Sequence, residues 1–147
     1  MSIKDMIAQL GQGMLTSVLI YALTLIGAVP LALPLALARG GKSKIARLLT
    51  GAYISFMRGT PLMLQLIAVY FGPWYLFRIR ISDGYRFYAV IIAFVLNYAA
   101  YFAEIYRAGI AAVPKGQREA AAVLGYTNAQ AFFRIVLPQV IKHILPP

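Results

Sequence analysis

Side chains able to carry chemistry are few in this sequence and lie far apart. Four acids (Asp5, Asp83, Glu104 and Glu119) and one histidine (His143) are spread over 147 residues, and cysteine is absent. A zinc or di-carboxylate centre needs several converging ligands, and no such set is present. Without cysteine there is neither a disulfide framework nor a thiolate site. No serine stands near a histidine with a third, orienting group, and there is no Gly-rich phosphate loop of the Walker type. The chain is therefore read as a non-enzyme with no resident cofactor. The remaining polar groups have another use. Gln65, Asn97, Tyr101 and Glu104 sit inside long apolar runs. There they either contact a solute carrying amino and carboxylate groups or hydrogen-bond between helices, and both uses fit such residues.

The elements that must position these groups follow from composition. Hydrophobic residues make up 61% of the chain and charged residues 12%, against roughly 25% charged in a soluble domain. One small soluble core cannot hide that much apolar surface, whereas lipid can accept it. The net charge of +10 comes from clusters at the ends of apolar runs, not from a patch on a polar domain. That distribution points to the positive-inside rule and away from nucleic acid.

The first apolar run is free of charge from Met6 to Ala38, and its central part, residues 14–38, is 25 residues long. It exceeds the roughly 20 needed to cross the hydrocarbon. It ends at Arg39, Lys42, Lys44 and Arg47, which marks a true span with its C-terminal end in the cytoplasm, not a cleaved leader. Pro30 and Pro34 should bend it. A second run is broken at Arg58-Gly59-Thr60-Pro61, because a proline biases the residue before it away from helix. Residues 59–77 span by themselves; the piece from Leu48 to Met57 either lies at the interface or extends the same helix. The next loop, Arg78 to Arg86, carries +2 against +4 for the first basic cluster, which keeps the N-terminus outside. A third span covers about 87–110.

Arg58 and Glu104 would each cost about 2.5–3.5 kcal/mol facing lipid. They pair or line a path, or else reach interfacial water from near the span ends. Glu104 and Arg107 are three apart on one helix face and suit a local ion pair.

After Pro114 the character changes to mixed polar and Ala-rich. Pro114 suits a helix start, Gly125 a left-handed helix end, and Thr127-Asn128-Ala129-Gln130 a capping box. Two short helices are expected over residues 114–133, with a further apolar segment from Ile135. The chain stops at Pro146-Pro147 before that segment can cross, which suggests a C-terminally truncated sequence, a single domain over 1–147. Small residues at Ala120, Ala121 and Ala122 would let a partner backbone approach, and Glu119 suits a helix N-terminal turn or a partner arginine. By its residues alone, the segment is either a helix-in-groove docking element or an interfacial amphipathic helix against lipid phosphates.

Glu119-Ala120-Ala121, three residues, Gly125, nine residues, Ile135, one residue and Leu137-Pro138 resemble the EAA motif of permease subunits of bacterial ATP-binding cassette (ABC) importers. Phe56-Met-Arg58-Gly59-Thr60-Pro61-Leu62, Glu104-Ile-Tyr-Arg107-Ala-Gly-Ile and Val113-Pro114-Lys115-Gly116-Gln117 resemble the polar amino acid branch. The resemblance covers about 13–147. It implies an all-α integral membrane protein, a polytopic bundle of the type I importer kind, with three complete spans, a cytoplasmic coupling helix and the start of a further span. It also implies that Glu119, Ala120, Ala121 and Gly125 dock on ATPase subunits that bind ATP and Mg. The other implied partners are a second permease subunit, homo- or heterodimeric, an extracytoplasmic solute-binding protein and the lipid of the bacterial cytoplasmic membrane. A stand-alone channel or secondary amino acid transporter is the alternative; it would need coupling-ion sites at paired helix breaks.

Overall fold

The structure, a computed structural model, describes residues 2–82 and 84–145. Asp83, counted in the loop charge, and the Pro146-Pro147 end lie outside the described residues. Helix α1 runs from Ile3 to Gly40, 38 residues, or about 57 Å at 1.5 Å per residue. It starts where the Asp5 carboxylate accepts the Ser2 backbone N–H at 3.1 Å. It continues unbroken through Pro30 and Pro34, although each proline leaves the carbonyl four residues earlier without its donor. Its buried face is Thr24, Ala28, Ala32 and Ala36, every fourth residue.

That stripe faces α4, Tyr85–Ala112, whose buried residues include Ala89, Ala93, Asn97, Ala100 and Ala103. In lipid the hydrophobic effect gives no preference for helix pairing, so small residues that let two backbones approach supply van der Waals contact instead. Gly27 lies at a close approach in the seam: a Cβ there would stand 2.8 Å from Cγ2 of Val95. Helix α4 is the central element, packing against α1, α2, α3 and the last helix.

Helix α2, Lys44–Gly59, begins at Ser43, whose hydroxyl accepts the Ala46 N–H. Helix α3, Leu62–Phe77, follows after Thr60-Pro61. The two meet at a bend of 108°, so Leu48–Met57 is not a straight extension of the residues that follow. At 16 residues, α3 is about 24 Å long, short of the roughly 30 Å hydrocarbon core. By length and composition α1 and α4 each suffice to cross, and the α2–α3 pair does so only taken together.

Past Val113 and Pro114 comes α5, Lys115–Val123. A tight turn leads to α6, Asn128–Ala131, one π-helical turn, Phe132–Val136, and α7, Leu137–Ile144, without interruption. The second helical piece is therefore not short and separate. It begins at Asn128 and carries straight into the segment expected to start at Ile135. Pro138 would clash with the carbonyl of Arg134 in regular helix. The π turn relieves it by a wider bond, from the Leu137 N–H to the Phe132 carbonyl. Val136 and Val140 pack with Val113, flanked by Ile110 and Ile144, and fasten this rod to the end of α4. Gly109 makes room for it: a Cβ there would lie 2.7 Å from Ile144 and 3.0 Å from Val140.

Candidate functional site

Two places gather the residues singled out by the sequence. The first is the α2–α3 break. In a continuous helix the Met57 carbonyl would accept the N–H of residue 61, but that residue is proline and has none. Side chains replace it. The Gln65 amide donates to the Met57 carbonyl at 2.9 Å, to the Thr60 carbonyl at 3.1 Å and to Thr60 Oγ1 at 2.7 Å. The Asn97 amide reaches across from α4 to the same Met57 carbonyl at 3.1 Å and to Gln65 Oε1 at 2.9 Å. Gln65 and Asn97 are both buried. A buried backbone carbonyl without a partner costs about 1–3 kcal/mol, and the deficit is greatest where no water is at hand. The two amides thus form one network that stabilises the bend.

Asn97, Tyr101 and Glu104 follow each other at helical spacing along one stripe of α4. Tyr101 is exposed, and the Arg58 guanidinium sits over its ring at 5.4 Å. Glu104 pairs with Arg107 at 2.8 Å and, from the end of α1, with Arg39 at 3.9 Å. Arg39 also donates to the Arg47 carbonyl at 3.1 Å. Nothing in the residue pattern signals this link beyond Arg39's place in a basic cluster, nor the role of Tyr53, whose hydroxyl donates to the Leu96 carbonyl at 2.6 Å and ties α2 to α4.

The second place is the turn after α5. Gly125 is left-handed at φ +79. The Gly125 N–H returns to the Ala122 carbonyl and the Tyr126 N–H to the Ala121 carbonyl, each at 3.0 Å, the pair of bonds that defines a Schellman end. Thr127 and Gln130 then exchange capping bonds, with Thr127 N–H to Gln130 Oε1 at 2.9 Å and Gln130 N–H to Thr127 Oγ1 at 3.3 Å. Glu119, Ala120 and Gly125 are exposed, while Ala121 is 1% exposed and turned inward. Its small side chain serves the packing of α5 within the chain, which leaves the other three on the outer surface. A Cβ on Gly125 would meet nothing within 4 Å, so glycine is required there by backbone conformation alone.

Long apolar helices, a polar-sealed break and a short helical elbow beyond them define a helical membrane protein with an exposed element outside its spans. The profile of the family described as binding-protein-dependent transport system inner membrane component matches residues 28–147, and the chain belongs to that family. It is 42% identical to the L-cystine transport system permease protein TcyL of Bacillus subtilis, over 98% of this chain and 62% of that protein. To the putative glutamine transport system permease protein GlnP of Rickettsia conorii it is 38% identical, over 92% of this chain and 61% of the relative. The chain thus spans about three fifths of the length of these relatives. The crystal structure of an amino acid ABC transporter with histidines superposes with a TM-score of 0.77 at 37% identity, covering 99% of this chain and 68% of that one.

Proposed function

We propose that this chain is the greater part of the permease subunit of an ABC importer. It moves a polar amino acid across the bacterial cytoplasmic membrane, driven by ATP hydrolysis on separate subunits. The observation that carries this reading is the elbow: α5, the left-handed Gly125 and the Thr127 cap stand at the EAA spacing and are fastened to the end of α4 through Val113, Val136 and Val140. A rigid element of that kind can pass a push from a partner into the spans.

In this scheme α5 is the coupling helix, on the cytoplasmic side, and the N-terminus lies outside. Glu119, Ala120 and Gly125 face the ATPase, and Ala121 sets the position of α5 from within. A second permease subunit completes the pathway, and an extracytoplasmic binding protein delivers the solute. The relatives named for cystine and glutamine support an amino acid as cargo. Along the pathway we place Tyr101 toward the solute, with Glu104 one turn on; Gln65 and Asn97 hold the bend behind them as positioning residues. The stand-alone carrier has no support in the family match.

The test is retention of the cognate ATPase by the membrane-inserted chain. Wild type is expected to retain it. Glu119→Lys reverses the charge on the docking face, and Gly125→Pro forbids a positive φ; both should lose the ATPase while inserting normally. Equal retention by wild type and both variants would remove the coupling role from α5.

A further inference from the structure

We infer that the junction of α1, α4 and α5 holds the phosphate-bearing headgroup of an anionic phospholipid. A cavity of about 490 Å³ opens there, with Arg39 from the end of α1, Arg107 from α4, and Lys115 and Arg118 from α5 among its lining residues, and with no carboxylate in the lining among the described residues. It lies within the usual range of ligand pockets, roughly 300–1,000 Å³.

The charges are poorly compensated. Among the described residues the ion pairs of this group all go to Glu104, at 2.8 Å from Arg107 and 3.9 Å from Arg39. One carboxylate therefore serves two arginines, and Lys115 and Arg118 take part in neither pair. The start of α5 deepens the imbalance. Its first turn carries no acid and no side-chain cap, so two cations stand at the end of a helix that is already partly positive. An anion bound at this point would relieve repulsion among all four side chains and suit the positive end of the helix.

The pocket is amphipathic, which selects the kind of anion. Ala111 and Phe132 belong to its lining, beside the ends of the two longest apolar helices, where lipid headgroups meet the protein. Basic pockets between membrane helices are suited to anionic headgroups. A lipid bound here would brace α5 against α1 and α4, whatever α5 docks on.

The test is native mass spectrometry of the purified full chain in detergent, with no ATPase present, so the outcome is independent of the coupling role. Phosphatidylglycerol and phosphatidylcholine are supplied in turn. Wild type should retain phosphatidylglycerol in preference. The double variant Lys115→Ala/Arg118→Ala should weaken that retention roughly thirtyfold. Lys42→Ala/Lys44→Ala, which removes the same charge outside the pocket, should change it about twofold or less. Equal retention of the two lipids, or equal loss in the two double variants, would overturn the site in favour of diffuse surface attraction. Displacement of the lipid by an equal concentration of inorganic phosphate would overturn the lipid assignment and leave a soluble-anion site.

Discussion

At Thr60-Pro61 and again at Gly125 the chain ends one helix and begins another, yet it satisfies the orphaned backbone groups by different means. At the first break the missing donor is replaced by amides from two helices, Gln65 of α3 and Asn97 of α4, both buried. At the second, the backbone closes on itself through the Gly125 and Tyr126 N–H groups, and only the Thr127–Gln130 cap uses side chains. The contrast follows from solvent. A buried break must be sealed from within the protein, whereas an exposed break can leave its remaining carbonyls to water. The first kind of break couples distant helices. The second is local, and can be carried as a unit.

Substitutions can break that comparison. The largest effect is expected for Gln65→Leu, which strips three bonds from the bend and leaves the Asn97 amide half used. Thermal unfolding in detergent should show a loss of about 2–3 kcal/mol. In a Pro61→Ala background, where an N–H returns at the break, the same change should cost measurably less. An equal cost in both backgrounds would mean that Gln65 does not act through the proline. Next comes Gly125→Ala. It meets no steric obstacle but forces a Cβ into left-handed geometry, at about 1–2 kcal/mol. Amide exchange should rise in α5 and α6 while the α2–α3 bend keeps its protection; spread of the effect to the bend would show that the elbow is not independent. The smallest is Thr127→Ala, which removes the cap for about 1 kcal/mol and should fray only the start of α6 by the same measurement.

Much of this was legible in the residue types. Pro61 announced the break, the +4 cluster after Ala38 announced the end of α1, and Gly125 with Thr127 and Gln130 announced the elbow. The angle of the break was not legible, because a proline forbids helix without dictating a direction; 108° is set by what α2 and α3 pack against. Gln65 and Asn97 stood out as polar residues in apolar runs, but their pairing over 32 positions is a tertiary fact. One signal was there to be read: Gln65 lies four residues after Pro61, one turn on, where an amide can reach back to the deprived carbonyl. Ala121 looked like its neighbours Ala120 and Ala122, and only the packing of α5 separates it from them. A separate segment was expected from Ile135, and the helix that begins at Asn128 runs into it without a break instead.

The π turn that admits Pro138 has one more effect. A π turn holds one residue more than the α turn it replaces, so everything after it is advanced by about 100° around the axis. The buried positions record the slip: Ala131 to Val136 is a step of five, and Val136 to Val140 a step of four. A heptad or hydrophobic wheel drawn in one phase from Asn128 to Ile144 would aim Val136 and Val140 off the contact with Val113. Deleting a single residue between Phe132 and Val136 would restore regular helix and keep Val136 and Val140 on the face of Ala131, whereas closing the π turn without a deletion would rotate both away from Val113.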